Sequence, residues 1–241
     1  MKMTKRQEKI LNGIIKEYIH SALPVSSQVL DEKYNFKLST ATLRNEMQAL
    51  SDLGYLLQPH TSAGRIPTDK GYRFFVNQIL EKELPEFDEK KKMDIKKECK
   101  EKKDDSFRFV QKATKILADN SSNLALSHIL NEDFFWKEGW DDVFTEPEFR
   151  ETDFVLRFAK IIDSFEKNIE GITSEFSDDL GVFIGRETPF LKNDDFSIVV
   201  SGFKCPDSKN KGIFAIVGPK RMNYNKNISI INLVNQIFKE F

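Results

Sequence analysis

Helix-stopping residues cut the first 80 positions into short pieces, and each piece carries its own apolar stripe. Thr4 precedes Ile10, Leu11, Ile14, Ile15, Tyr18 and Ile19, which are spaced as one helix face. Leu23-Pro24 ends that helix, because a residue before proline is pushed out of helical backbone. Ser26 or Ser27 can cap a second, short helix with Val29, Leu30 and Tyr34 apolar, and Asn35 to Leu38 connect it onward. Ser39 or Thr40 caps a third, in which Leu43, Met47 and Leu50 share one buried face. Gly54 stops it. Tyr55 to Gln58 is a strand candidate, Pro59 to Arg65 a turn of small and polar residues, and Ile66-Pro67-Thr68 the return. Thr68 or Asp69 caps a closing helix through Tyr72, Phe75, Val76, Ile79 and Leu80. Three short helices, a hairpin and a closing helix are the order of a winged helix-turn-helix, expected over residues 1–80.

The third helix then has a face to spare. Ala41, Arg44, Asn45, Gln48 and Asp52 point away from its apolar stripe. In the major groove an arginine pairs with guanine in two hydrogen bonds, and Asn or Gln does the same with adenine, while Ala41 can touch a thymine methyl. Ser39, Thr40 and Thr42 place hydroxyls near the helix start, where phosphates are bound. The turn residues His60, Thr61, Ser62 and Arg65 can follow the backbone or enter the minor groove. The blander alternative is a merely solvated face, with Arg44 paired to Glu46 or Asp52 and His60 an ordinary loop residue. Charge leans toward nucleic acid. Residues 1–80 hold 11 Lys and Arg against 7 Asp and Glu, whereas residues 81–241 hold 26 against 31.

Residues 81–106 are expected to be a charged linker or helix, with eight lysines and eight acids between Pro85 and Asp105. Residues 107–241 mix helical and strand patterns, as in an α+β domain. Phe107, Val110, Ala113, Thr114 and Leu117 form a helical stripe, and Leu124-Ala125-Leu126 is a short strand candidate. Phe154 to Ile169 carry a strong helical pattern. Gly181 to Gly185, Phe196 to Phe203 and Gly212 to Val217 read as strands, and Ile228 to Phe241 as a final helix. The 21 phenylalanines suit packed cores and a subunit interface.

Several function classes have no support. No apolar run approaches the roughly 20 residues that span a bilayer, and the basic first residues lead into an amphipathic pattern instead of a signal core. Cys99 and Cys205 form neither a disulfide framework nor a metal-ligand pattern, so a reduced, cytoplasmic setting is expected. No catalytic or dinucleotide motif occurs, and His20, His60 and His128 are scattered, so no enzyme, cofactor or metal is expected. Gly218-Pro219-Lys220-Arg221 lacks phosphate-loop spacing, and Pro219 removes a backbone donor, which leaves a structural turn.

Longer runs of residues point to a family. Ala41 to Met47, Leu53 to Leu56 and the contiguous stretch Gln58 to Phe74 resemble the HrcA family of bacterial heat-inducible transcription repressors. Further along, Glu146-Pro147-Glu148-Phe149 resembles that family's acidic-proline motif. Phe183 to Glu187 and Gly218 to Tyr224 resemble its two later signatures.

The resemblance implies a GAF-like α+β body behind the winged helix. It also implies an inverted-repeat operator of double-stranded DNA upstream of chaperone genes, a homodimer to match the operator's symmetry, and the chaperonin GroEL as a partner. Heat would then relieve repression by occupying the chaperonin. One departure stands out: the family's inserted dimerisation domain is missing, and only Leu130 to Phe144 fill its place, including Phe134-Phe135-Trp136 and Trp140. Two other readings stay open here. One is a winged-helix regulator that answers a small ligand in the C-terminal domain. The other is a winged-helix module that binds protein instead of DNA, or a winged-helix enzyme subunit.

Overall fold

The computed structural model describes residues 3–82, 89–100, 105–176, 180–188, 192–205 and 210–240. The chain divides into two units, Met1–Glu83 and Leu84–Phe241. The parts of the charged stretch at 83–88 and 101–104 lie outside the described residues.

In the first unit every helix start is set by a side-chain cap, which satisfies an amide that the helix itself leaves unpaired. Helix α1 (Lys5–Ser21) has a capping box, with Gln7 N donating to Thr4 Oγ1 at 3.2 Å and Thr4 N to Gln7 Oε1 at 3.0 Å. Helix α2 (Ser27–Tyr34) is capped by Ser26, which accepts from Val29 N. Helix α3 (Thr40–Asp52) is capped by Ser39, which accepts from Thr42 N. Gly54 follows α3 with φ +78°, a left-handed backbone that glycine adopts at little cost. Strands β1 (Leu56–Leu57) and β2 (Ile66–Pro67) pair antiparallel with Leu56 opposite Pro67, and helix α4 (Asp69–Leu80) is capped by Thr68. Ile10, Leu11, Ile14, Ile15, Leu30, Leu43, Met47, Leu50, Leu56, Tyr72, Phe75 and Val76 form the buried core.

The second unit is α+β. Helices α5 (Glu89–Lys100) and α6 (Ser106–Ser121) precede strands β3 (Leu124–Ile129) and β4 (Phe135–Glu138). A short helix α7 (Trp140–Val143) and a 3-10 turn (Pro147–Arg150) lead to helices α8 (Thr152–Lys167) and α9 (Ile169–Glu175). Strands β5 (Leu180–Ile184), β6 (Phe196–Lys204) and β7 (Lys211–Pro219) and helix α10 (Tyr224–Lys239) complete it. The five strands run in the order β4-β3-β7-β6-β5, each neighbour antiparallel.

Alternation along the strands gives the sheet two different faces. Leu124, Leu126, Ile198, Val200, Ile213, Ala215 and Val217 pack under Phe154, Phe158, Ile161 and Phe165 of α8 and Ile169 and Ile172 of α9. The other face meets α6 and α10, and here polar side chains pair under the helices. Thr114 Oγ1 donates to Ser127 Oγ at 2.7 Å, Ser197 Oγ and Tyr224 OH share a 2.7 Å bond, and Asn235 Nδ2 donates to Ser201 Oγ.

Three features depart from the sequence reading. The Phe134–Trp136 segment supplies an edge strand, β4, since Phe135 and Lys137 alternate with Trp136 and Glu138 against β3. The expected helix from Phe154 to Ile169 divides at Asn168, whose side chain donates to Ser164 O at 2.7 Å and whose ψ of 9° leaves the helical range. The turn at Gly218–Arg221 is a structural one, but its arginine is buried. Arg221 donates through Nε and Nη2 to both oxygens of Glu148, at 2.5 and 2.8 Å, and through Nη2 to Glu146. Burial would lower its pKa, yet the two carboxylates outweigh burial and hold the guanidinium above its ordinary value. Two motifs far apart in the chain, Glu146-Pro147-Glu148 and Gly218 to Tyr224, are thereby one structural clamp.

Candidate nucleic-acid interface

Helix α3 buries Leu43, Met47 and Leu50, which turns Ala41, Arg44, Asn45 and Gln48 outward, all exposed. The neighbouring acids are already engaged. Glu46 is held by α1, through Arg6 Nε at 2.8 Å and Gln7 Nε2 at 3.0 Å. Asp52 accepts from Gln48 Nε2 at 2.8 Å. Neither acid therefore takes Arg44, as the solvated-face alternative would have it. Arg44 and Asn45 have no hydrogen bond or ion pair among the described residues.

The other candidates differ in how far they are committed. Ser39 caps α3 and shares a 2.9 Å bond with the Thr42 hydroxyl, so both hydroxyls serve the helix start. Thr40 and Ala41 are exposed in the first turn. In the hairpin, His60, Thr61 and Ser62 are exposed at the tip, with His60 Nδ1 3.3 Å from Ser62 Oγ. Arg65 is only half-exposed and reaches back to α3. Its Nε donates to Ser51 Oγ at 3.1 Å and its Nη2 to Gln48 Oε1 at 2.9 Å. Gln48 and Arg65, both read from sequence as DNA contacts, meet each other.

Sequence reasoning missed three residues that shape this surface. Ser51 accepts from Arg65 while donating to Met47 O at 3.1 Å; its spacing of three from Gln48 put it on the same helix flank. Gln58 Nε2 bridges Thr61 O and Ala63 O, both at 2.9 Å, and folds the tip onto itself. Gly64 lies hard against the α1–α2 connection, since a Cβ there would stand 2.4 Å from Val25 C and O. A glycine among small residues in a long turn was the available signal. Arg65 and Val25 exchange backbone hydrogen bonds at 2.8 and 2.9 Å, which fixes the return strand there. Among the described residues no three His, Cys, Asp or Glu side chains converge as a metal site would need. No described helix is long and apolar enough to cross a membrane.

Residues 69–228, about two thirds of the chain, match the family model described as HrcA protein C terminal domain. The chain belongs to the HrcA family. The heat-inducible transcription repressor HrcA of Thermoanaerobacter pseudethanolicus is 28% identical over 331 aligned positions, covering 98% of this chain and 96% of that protein. Since this chain has 241 residues, at least 90 of those positions have no counterpart in it. The protein of the same name from Alkaliphilus metalliredigens is 54% identical over 83 residues, 34% of this chain and 24% of that one. A crystal structure of a protein described as hypothetical has the same fold, with a TM-score of 0.77 at 22% identity over 100% of this chain and 99% of that one.

Proposed function

We propose that this HrcA-family chain is a transcription repressor whose residues 1–80 form a winged helix-turn-helix that reads double-stranded DNA. The observation that carries the reading is the pair Arg44 and Asn45, exposed on α3 with no partner while the acids beside them are engaged elsewhere. A helix fits the major groove, and these are the side chains that pair with guanine and adenine there. Thr40 and Ala41 sit beside them, and His60, Thr61 and Ser62 offer the hairpin tip to the backbone. The relatives' name, heat-inducible transcription repressor, supports repression that heat relieves. The family resemblance adds chaperone genes as targets, an inverted-repeat operator, a homodimer to match it, GroEL as partner, and a GAF-like body. The 90 or more unmatched positions support the reading that the inserted dimerisation domain is missing. Helices lie on both faces of the five-stranded sheet, so nothing among the described residues favours the small-ligand alternative.

The test is a gel shift of the full chain on an inverted-repeat chaperone-gene operator, at several salt concentrations so that general electrostatic affinity is separated from specific affinity. Wild-type protein should prefer the operator over scrambled DNA. Arg44→Ala should cost about 1–3 kcal/mol of operator binding and relax selectivity at one base pair. Unaltered affinity in that variant would remove α3 as the reading helix.

A further inference from the structure

We propose that Arg65 is a positioning residue, a clamp that locks the hairpin to the reading helix, and that Gln48 is its acceptor instead of a base reader. The proposal rests on the DNA-reading function above and narrows it to fewer side chains. Three observations converge. The backbone of Arg65 is fixed by its two hydrogen bonds with Val25, so its side chain starts from a set place. Gly64 lets the return strand lie directly against the α1–α2 connection, since a Cβ there would stand 2.4 Å from Val25 C and O. The guanidinium then makes two directed bonds to α3, to Ser51 Oγ and Gln48 Oε1.

The Gln48 amide is used at both ends. Its oxygen accepts from Arg65, and its nitrogen donates to Asp52. Recognition of adenine by glutamine needs that same oxygen and nitrogen together. Both amide atoms are drawn along the α3 surface, toward Arg65 on one side and Asp52 on the other, and turning the amide into a groove would strain both bonds, so the amide serves the clamp. What the clamp gives is pre-organisation: the tip residues His60 to Ser62 are held at one distance from Arg44 and Asn45 before DNA arrives, which removes an ordering cost from binding.

Charge makes the clamp testable. Between Leu56 and Pro67 the hairpin has one arginine, no lysine and one histidine, His60. If Arg65 contacted a phosphate, its loss would flatten the salt dependence of operator binding by about 0.9 in log K against log salt. A clamp predicts lower affinity with that slope unchanged. Gln48→Ala and Arg65→Ala should each lower affinity about tenfold, the scale of one hydrogen bond to a charged group. The double variant should bind no worse than the weaker single one. Hydrogen exchange of the free full chain supplies a measurement without DNA: amides of residues 56–67 should exchange faster in Gln48→Ala, an exposed helical position where alanine is well tolerated. A reduced salt slope in Arg65→Ala, additive losses, relaxed base selectivity in Gln48→Ala, or unchanged hairpin exchange would each overturn the clamp. If wild-type protein showed no operator preference, the DNA-reading function would fall by itself, and the exchange experiment would still decide whether the clamp exists.

Discussion

The two units commit their polar side chains in opposite ways. In the second unit several buried polar groups are bound to one another: Thr114 with Ser127, Tyr224 with Ser197 and Asn235 with Ser201 beneath α6 and α10, and Arg221 with two glutamates. In the first unit the polar groups ring an exposed helix, and after Glu46, Gln48, Ser51, Asp52 and Arg65 have found partners, Arg44 and Asn45 remain uncommitted. A buried polar group needs a partner because desolvation penalises it heavily otherwise, so satisfied networks in a core report stability. An exposed side chain without a partner owes nothing to such a network, and on α3 Arg44 and Asn45 are of that kind. Exposure alone would not separate these cases; engagement does.

The largest expected effect tests the buried side of this contrast. Arg221→Ala would leave Glu146 and Glu148 facing each other in a largely enclosed site, and breaking a buried ion pair from one side costs about 3–5 kcal/mol. Trp136 and Trp140 are the only tryptophans, and both lie in the second unit, so urea unfolding followed by tryptophan fluorescence reads that unit. The midpoint should fall steeply, while the ellipticity transition of the first unit should not move. A small shift would mean that solvent reaches the clamp, and that the two units differ less than described.

How much of this was legible in the sequence follows from how local each cause is. Thr4, Ser26, Ser39 and Thr68 act within three residues of themselves, so the helix starts of the first unit were readable from spacing. The outward face of α3 followed from Leu43, Met47 and Leu50 for the same reason. What spacing could not give was commitment. Arg65 meets Gln48 across 17 positions, and Arg221 meets Glu148 across 73, and such partners are brought together only by the fold. Strand β4 was hidden because four residues are too few to establish a period against an aromatic run.

Two smaller effects sharpen the exposed side. Gly64→Ala should weaken the first unit by about 2 kcal/mol, since the new Cβ meets backbone atoms of Pro24 and Val25, which cannot rotate aside. Faster exchange at the Val25 and Arg65 amides would locate the damage; protection equal to wild type would show that the return strand tolerates displacement. Ser39→Ala should cost about 1 kcal/mol of stability through the lost cap, with thermal unfolding as the measurement. Its effect on operator affinity should be no larger, because the hydroxyl is already shared with Thr42. A loss of affinity well beyond the loss of stability would make Ser39 a phosphate contact in its own right.

The smallest effect concerns His128, the buried histidine of β3. Its Nδ1 lies 3.1 Å from Thr173 Oγ1, and its Nε2 lies 3.4 Å from Glu170 on α9. Burial pushes its pKa below the ordinary histidine value, and the Glu170 carboxylate only partly opposes this. The unfolded chain therefore binds a proton at a higher pH than the native one does. Stability of the second unit should be complete above the unfolded value of about 6.5, decline as pH falls through it, and level off below the depressed native pKa. Urea titrations read by tryptophan fluorescence, stepped from about pH 8 to about pH 5, should show that decline in wild type and lose that component in His128→Gln. Glu170→Gln should deepen the decline, because it removes the one charge named here that favours the protonated ring. If the slope survived in His128→Gln, carboxylates would be its source, and the buried network would owe its pH response to groups at its rim.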